Sequence, residues 1–140
     1  MAIQQAICTV FKQDSMSPVA NLEAQTLKSA LYTNAATLNA TTSIYITANE
    51  VSDSNTNYTT GGNALTNVAI SVDGTTAIFD ADNVTFPNAT ISAQAALLYN
   101  ANNANSAIAV LDFGGVKTST NGTCELQFPT ANASAGLIRI

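Results

Sequence analysis

The stretch from residue 86 to residue 115, FPNATISAQAALLYNANNANSAIAVLDFGG, carries a single charged side chain, Asp112. Its run 89–100 alternates in the manner of a β-strand, although some of its apolar residues also fit a helix. The Asn-rich segment 100–106 suits a hairpin loop that leads into a second apolar run, 107–113. Both runs are apolar on two faces, as in strands covered on both sides. We therefore expect two paired strands, whose second face is covered by the N-terminal segment or by another subunit.

From residue 43 onward the chain repeats a pattern of short apolar runs separated by turn residues. This spacing is typical of a β-sandwich or barrel. The sequence therefore predicts a mainly β fold, an antiparallel and jelly-roll-like β-sandwich with a short N-terminal helix or arm. The further candidate strands are SIYITA (43–48), ALTNVAISV (64–72), TTAIFDA (75–81), VKTST (116–120), TCELQF (123–128) and GLIRI (136–140).

Glycine and proline positions predict where these strands end. Asp73-Gly74 and Asn121-Gly122 are dipeptides that accept positive φ in two-residue hairpin turns, so each is expected to close a tight hairpin. Pro87 and Pro129 are expected at ladder ends, because proline has no N–H to donate. Gly114-Gly115 predicts a further break between strands.

The N-terminal segment has a helical rather than an alternating period. Its apolar residues at that spacing are Ile3, Ala6, Ile7, Val10 and Phe11. They predict a short amphipathic helix, which either closes one end of the core or docks on a neighbouring subunit as an arm. After an ambiguous segment whose second half, TLKSALYT, ends like a strand, the chain enters the β pattern. We divide it into an N-terminal helix or arm (1–25) and a β-sandwich domain (26–140).

Charged residues are scarce in this chain. They make up 9% of it, against 46% hydrophobic residues, whereas an ordinary soluble domain is about a quarter charged. The net charge is −5 and the four Lys and Arg are not clustered, which argues against nucleic acid as a partner. No apolar run reaches the ~20 residues that span a bilayer, and the N-terminus does not resemble a secretory signal. We expect a protein made in the cytoplasm whose uncharged Asn, Thr and Ser surface suits packing against other subunits.

The residue types needed for common enzyme chemistry are missing. The chain has no histidine, so it cannot assemble a Ser-His-Asp or Cys-His constellation. It has no glycine-rich phosphate loop either. We therefore expect no enzyme activity and no cofactor. Cys8 and Cys124 lie far apart and are expected to be reduced core residues rather than zinc ligands, with a disulfide between them left open.

Two other features have both a functional and a structural interpretation. DADN (80–83) offers oxygens for a calcium ion, but Asp and Asn are also standard turn residues, so we predict a turn and no metal site. Tyr58 lies in the polar loop NTNYTTGGN (55–63) and is either a contact residue or a side chain that folds back on the sheet.

Four phrases of the sequence together resemble a family of small virion structural proteins of tailed bacteriophages, the capsid decoration or cement proteins. They are NEVSDSNTNYTTGGNALTNVAIS, TTAIFDADNVTFPNATISAQAALLYN, SAIAVLDFGGVKTSTNGTCELQFP and the terminal SAGLIRI, and the resemblance covers residues 26–140 and the amphipathic opening. It implies a β-sandwich body, a homo-oligomer (a trimer or a dimer), and the major capsid protein of the shell as partner. It also implies a place on the virion surface after synthesis in the host cytoplasm. The expected contact residues are Ile3, Ile7, Val10 and Phe11 of the N-terminal segment and Tyr58.

Three other hypotheses remain open on the sequence alone. A tail or fibre-adaptor protein of the same virion shares the small β-rich architecture, and fold alone does not decide between them. A pilin-like subunit fits the acidic Ala/Thr/Asn-rich composition but requires secretion and a disulfide between Cys8 and Cys124. A small enzyme or sugar-binding module ranks last.

Overall fold

A computed structural model describes residues 3–17, 21–128 and 138–139 of the chain. Within these residues the named strands pair only in antiparallel fashion, and the helix is a short one near the N-terminus. The predicted mainly β, antiparallel fold with a short N-terminal helix is confirmed. The elements are β1 (Ala6–Ile7), α1 (Thr9–Ser15), β2 (Leu27–Tyr32), β3 (Asn63–Ala64), β4 (Ala69–Asp73), β5 (Thr76–Asp80), β6 (Val84–Asn100), β7 (Ser106–Leu126) and β8 (Ile138–Arg139).

The strands form two sheets. The larger sheet has the order β1-β7-β6-β2-β3, and the smaller has the order β4-β5-β8. Phe79 of β5 and Ile138 of β8 belong to the same apolar cluster as Phe86 of β6 and Leu126 of β7. The smaller sheet therefore shares a core with the part of β6 and β7 that lies farthest from the loop joining them.

The near-neutral stretch at the centre of the sequence forms the two longest strands. β6 and β7 pair with each other along their length and are joined by a turn at residues 101–105, as predicted. In the half next to this turn, β6 also pairs with β2, from Ala95 to Asn100. This half of the hairpin consequently lies in the middle of the larger sheet.

Both faces of this central half are covered by the chain itself. On one face, Leu31, Ala96 and Leu98 belong to the core shared with the smaller sheet. On the other, Leu97 and Tyr99 pack with Cys8, Leu38 and partly buried residues of the N-terminal segment. The N-terminal segment and the loop that contains Leu38 thus cover the face of Leu97 and Tyr99, whereas Ala96 and Leu98, which we expected on the face covered by that segment or by another subunit, face the shared core.

The other half of the hairpin is interrupted by bulges where the sequence predicted strand ends. Asn121-Gly122 does not close a hairpin: Gly122 lies inside β7 opposite Ala89 of β6, and Asn121 has a φ of 52°. Pro87 does not end a ladder either, because it lies within β6 at a shift of register. The turn-forming residues supply the unusual φ that a bulge requires, and strand pairing continues on both sides.

Gly114-Gly115 behaves in the same way. Ala95 lies opposite Asp112 and Ala93 opposite Lys117. An advance of five residues along β7 therefore lies opposite an advance of only two residues along β6. Gly114 has a φ of 79°, which a residue with a side chain adopts with difficulty. The three strands predicted over 107–128 are therefore one long, bulged strand that ends at Leu126.

The predicted hairpin at Asp73-Gly74 is confirmed, with its turn shifted by one residue. Asp73 pairs with Thr76, which leaves Gly74 and Thr75 as the two central residues. Only Gly74, with a φ of 64°, has positive φ. Glycine at the first central position is the pattern of a type II′ turn, which suits the twist of the two strands.

Two predictions about the first half of the chain need correction. SIYITA (43–48) is not a strand, because it makes only an isolated bridge from Ile44 to Ser106. The N-terminal helix is shorter than the apolar pattern, since Ala6 and Ile7 pair with Val110 and Ala109 of β7 before α1 begins. The predicted arm thus adds a strand to the larger sheet. No helix of the described part of the chain has the length and apolar character needed to cross a bilayer.

Two predictions fall near the C-terminus. The ladder end expected at Pro129 lies outside the described residues. Of the strand predicted over 136–140, residues 138–139 are described, and they form β8 against Phe79 and Ile78 of β5.

Candidate functional site

All four tyrosines of the chain gather around one carboxylate, that of Glu50. The hydroxyl of Tyr45 donates to Glu50 Oε2 at 2.7 Å. The hydroxyl of Tyr58 and the backbone N–H of Gly61 both donate to Glu50 Oε1, each at 2.7 Å. The carboxylate thus accepts three hydrogen bonds, and these stabilise its negative charge in a partly buried position. We call Glu50 with Tyr32, Tyr45, Tyr58 and Tyr99 the tyrosine cluster.

The tyrosine cluster holds a long loop against the larger sheet. Tyr99 of β6 donates to the carbonyl of Gly61 at 2.6 Å, and its ring stacks on that of Tyr45 with 4.6 Å between centroids. The Tyr58 hydroxyl accepts the N–H of Leu31 in β2 at 2.9 Å. The loop comes so close that a Cβ on Gly62 would lie 1.7 Å from the carbonyl oxygen of Ser29. Glycine is therefore required at position 62.

The tyrosine hydroxyls remain protonated donors in this environment. Burial raises the pKa of Tyr99 to about 12, with the negative charge of Glu50 adding to the effect. Burial also raises the pKa of Tyr58, and the hydrogen bond to Glu50 raises it further. A phenol held in this way stays neutral across the physiological range, so the arrangement acts as a clamp between loop and sheet.

A second feature is a groove beside the outer part of β7. It encloses about 650 Å³, and its apolar wall consists of Leu111, Phe113, Cys124, Leu126 and Phe128. Leu126 belongs to the core shared with the smaller sheet, and Cys124 and Phe128 are partly buried and pack against that core. Cys8 and Cys124 are both free thiols, and burial raises the pKa of Cys8 to about 11. Both cysteines were predicted to be reduced residues of the core, and the free thiols agree with this prediction.

A third feature is the outer edge of the smaller sheet. All five residues of β4 are exposed, and among the described strands β4 pairs only with β5. Val72 is 72% exposed and Ile70 is 45% exposed. These two side chains share one face of the strand because they are two residues apart.

The residues predicted to contact another subunit are placed within the subunit's own packing. Phe11 and Tyr58 are buried, with Tyr58 folded back on the sheet, the second of its two alternatives. Ile3, Ile7 and Val10 are partly buried and pack against the two core clusters. A contact of these partly exposed residues with another subunit stays a prediction.

Sequence reasoning missed the tyrosine cluster because Tyr45, Glu50 and Tyr58 lie in a loop without a periodic pattern, and Tyr99 is distant from them in the chain. Glu50 is a single glutamate in a polar loop, and only the antiparallel register brings Tyr32 and Tyr99 towards it. The carboxylates considered for calcium do not converge in this way. Asp82 accepts a hydrogen bond from Asn67 at 2.6 Å, and the described residues hold no metal-binding group of three or more Asp, Glu, Cys or His side chains.

Comparison of the chain with protein-family models, with curated proteins and with solved structures finds no match.

Proposed function

We propose that this protein is a capsid decoration protein, which binds the outer surface of a bacteriophage shell and stabilises it without carrying out a reaction. Its partners are then the major capsid protein and further copies of itself. The resemblance of the four sequence phrases to decoration proteins suggests this role. The structural observation that carries it is the character of the exposed surface.

That surface combines apolar side chains with few charges. Residues with large apolar side chains that remain substantially exposed are Met16, Ile44, Ile46, Ile70, Val72 and Val116. Only 9% of the residues of the chain are charged, so little charge has to be desolvated when such a surface is covered. Ile70 and Val72 lie on one face of β4 and form an exposed apolar pair that another protein could cover.

Because a shell repeats the same binding position many times, weak contacts between each subunit and the shell would be sufficient for attachment. A decoration subunit meets the same capsid surface many times, and each subunit held by one contact raises the effective concentration for the next. The clamp formed by the tyrosine cluster fits this role, because a rigid loop loses little conformational freedom on binding.

The test is binding to shells. Purified protein is mixed with capsid shells that lack a decoration protein, and bound copies are counted after sedimentation. We expect binding in numbers that match the lattice positions, together with a higher temperature of shell disruption. A matched variant, Val116→Lys with Ile44→Lys, keeps the core intact and should bind more weakly. Absence of the protein from the heads of particles that encode it would contradict the proposal.

A tail or fibre-adaptor role in the same virion is the alternative. It uses the same kind of surface, and copy number separates the two, since an adaptor would be found a few times at one vertex. The position of the reading frame next to a major capsid gene would favour decoration. A pilin-like role is disfavoured, because the disulfide that it requires between Cys8 and Cys124 is not formed here.

A further inference from the structure

The backbone groups on the outer edge of β4 have a geometry that suits pairing with β4 of a second copy. The closing pair of a two-residue hairpin, here Asp73 and Thr76, is hydrogen-bonded, and hydrogen-bonded pairs alternate along the ladder. The N–H groups of Ile70 and Val72 therefore point away from β5, towards the open side of the strand. The hydrogen bond from the Ile70 N–H to Glu23 Oε1 at 2.8 Å agrees with this direction.

Only certain registers allow two identical strands to pair about a two-fold axis. A two-fold axis relates each pair of opposed residues to a second pair of the same hydrogen-bonding type. The register therefore has to place Ile70 and Val72, whose N–H groups point away from β5, opposite the same kind of residue in the second copy. Centring the axis on Ser71 satisfies this condition. Ile70 then lies opposite Val72 of the second copy and Val72 opposite Ile70, which forms two hydrogen-bonded pairs on either side of a Ser71–Ser71 pair.

The side chains are complementary in this same register. The exposed Ile70 and Val72 of both copies come together on one face as an apolar ladder. Ile70 also borders a cavity of about 240 Å³ lined by Phe11 and Leu22, beside which Val72 of the second copy would lie. Alternate side chains that enter pockets while the backbones pair are the usual basis of strand-edge recognition.

The charges also permit this pairing. Asp73 of one copy lies opposite Ala69 of the other, so the two Asp73 residues are four strand positions apart, about 13 Å at the rise of a β-strand. That separation exceeds the Debye length of ~8 Å at physiological ionic strength, so their repulsion is largely screened. Of the groups that the structure describes, the exposed side chain of Glu23 stands in the way, because it occupies the Ile70 N–H and would lie near Asp73 of the second copy.

We propose that β4 is a homotypic interface, at which two copies pair antiparallel about Ser71 to join their smaller sheets into one six-stranded sheet, with Glu23 as the group that competes for the edge. A five-residue strand is far smaller than the ~20–30 residues that each partner contributes to a standard interface. The pair is therefore weak between free molecules and becomes populated where copies are held close together. The pairing does not depend on what larger particle the protein binds.

Cysteine cross-linking of the free protein tests the register. In the full-length protein carrying Cys124→Ser, the further change Ser71→Cys places two thiols across a non-hydrogen-bonded pair, at a Cα separation of about 4.5 Å that a disulfide spans. The matched control is Ala69→Cys, which is exposed on the same strand but would be held about 13 Å from its own counterpart. Under mild oxidation we expect the Ser71→Cys dimer to form at least about tenfold faster than the Ala69→Cys dimer.

Two further variants sharpen the result. Val72→Lys, added to Ser71→Cys, places an ammonium against Ile70 of the second copy and should reduce cross-linking to the control rate. Glu23→Ala, added to Ser71→Cys, frees the Ile70 N–H and should increase it. Equal rates for Ser71→Cys and Ala69→Cys would mean collision alone and would overturn the proposal. Because no shell is present in this experiment, failure to bind capsids and failure of β4 to pair are observed separately.

Discussion

The two halves of the β6–β7 hairpin are continuous in the chain but differ in almost every physical respect. The half next to the turn has one shift of register, between Leu98 and Tyr99, pairs with β2 and is buried on both faces. The outer half carries the other three shifts of register, and the residues of β7 from Gly114 to Thr123 are exposed or only partly buried. The comparison shows that one pair of strands can serve as the core of a sheet at one end and as a protein surface at the other.

The largest difference is expected when a large side chain is removed from each half. Leu98→Ala, in the half next to the turn, leaves a cavity at a fully buried site and should lower the free energy of unfolding by about 2–5 kcal/mol. Val116→Ala, in the outer half, should change it by less than ~0.5 kcal/mol, because that side chain is already 44% exposed. Urea unfolding followed by circular dichroism measures both. Similar losses in the two variants would show that the outer half is packed as tightly as the inner one.

A smaller effect is expected at the tyrosine cluster, which stabilises the half next to the turn. Glu50→Ala leaves the buried Tyr58 hydroxyl without its acceptor and should cost about 1–3 kcal/mol. Asp53→Ala is the matched control, since Asp53 is exposed and accepts a hydrogen bond from Thr60 only at the surface. A Glu50 variant as stable as the Asp53 variant would mean that the loop is held by packing alone.

The bulge at Gly114-Gly115 provides a neighbouring pair of glycines that should respond in opposite directions. Gly114→Ala forces a side chain into positive φ and should destabilise the protein by about 1 kcal/mol. Gly115 does not have positive φ, and a methyl group added there would meet no atom within 4 Å, so Gly115→Ala should be neutral or stabilising by about 0.4–1 kcal/mol. Thermal unfolding of the two variants side by side decides this. The same sign for both would rule out positive φ as the reason for glycine there.

The mildest expected effect is that of alkaline pH. It should weaken the tightly packed half next to the turn before it affects the outer half. A tyrosine with a raised pKa favours the folded state while it is protonated, so its contribution is complete below the ordinary pKa of 10.0 and is lost as pH rises towards about 12, the value for Tyr99. Tyr99 belongs to the half next to the turn, and Tyr32, Tyr45 and Tyr58 cluster with it around Glu50, so this half should loosen first. Ultraviolet titration of tyrosine together with circular dichroism follows it. Tyr99→Phe should shift the transition, whereas titration of all four tyrosines near pH 10.0 before any unfolding would contradict the prediction.

The sequence predicted the strands of the hairpin well because their apolar pattern is local. It did not predict how Asn121-Gly122 and Pro87 are used, because a turn residue specifies only its own φ. Whether the chain then reverses or continues through a bulge is decided by the strand it pairs with, here β6 against β7. The tyrosine cluster was beyond prediction for a related reason: Tyr58 offered two alternatives, and its contact with Leu31, 27 residues away in the chain, decides between them.

The pairing of β1 with β7 sets an order of events during folding. β6 and β7 are joined by a five-residue turn and can pair as soon as both have been synthesised, whereas Ala6 has to wait for Val110. Contacts between residues so distant in the chain form slowly, since a long loop must close first. A segment that is synthesised before its partner strand is thus among the last to reach its place, and until it does, the face of the central strands around Leu97 is not fully covered.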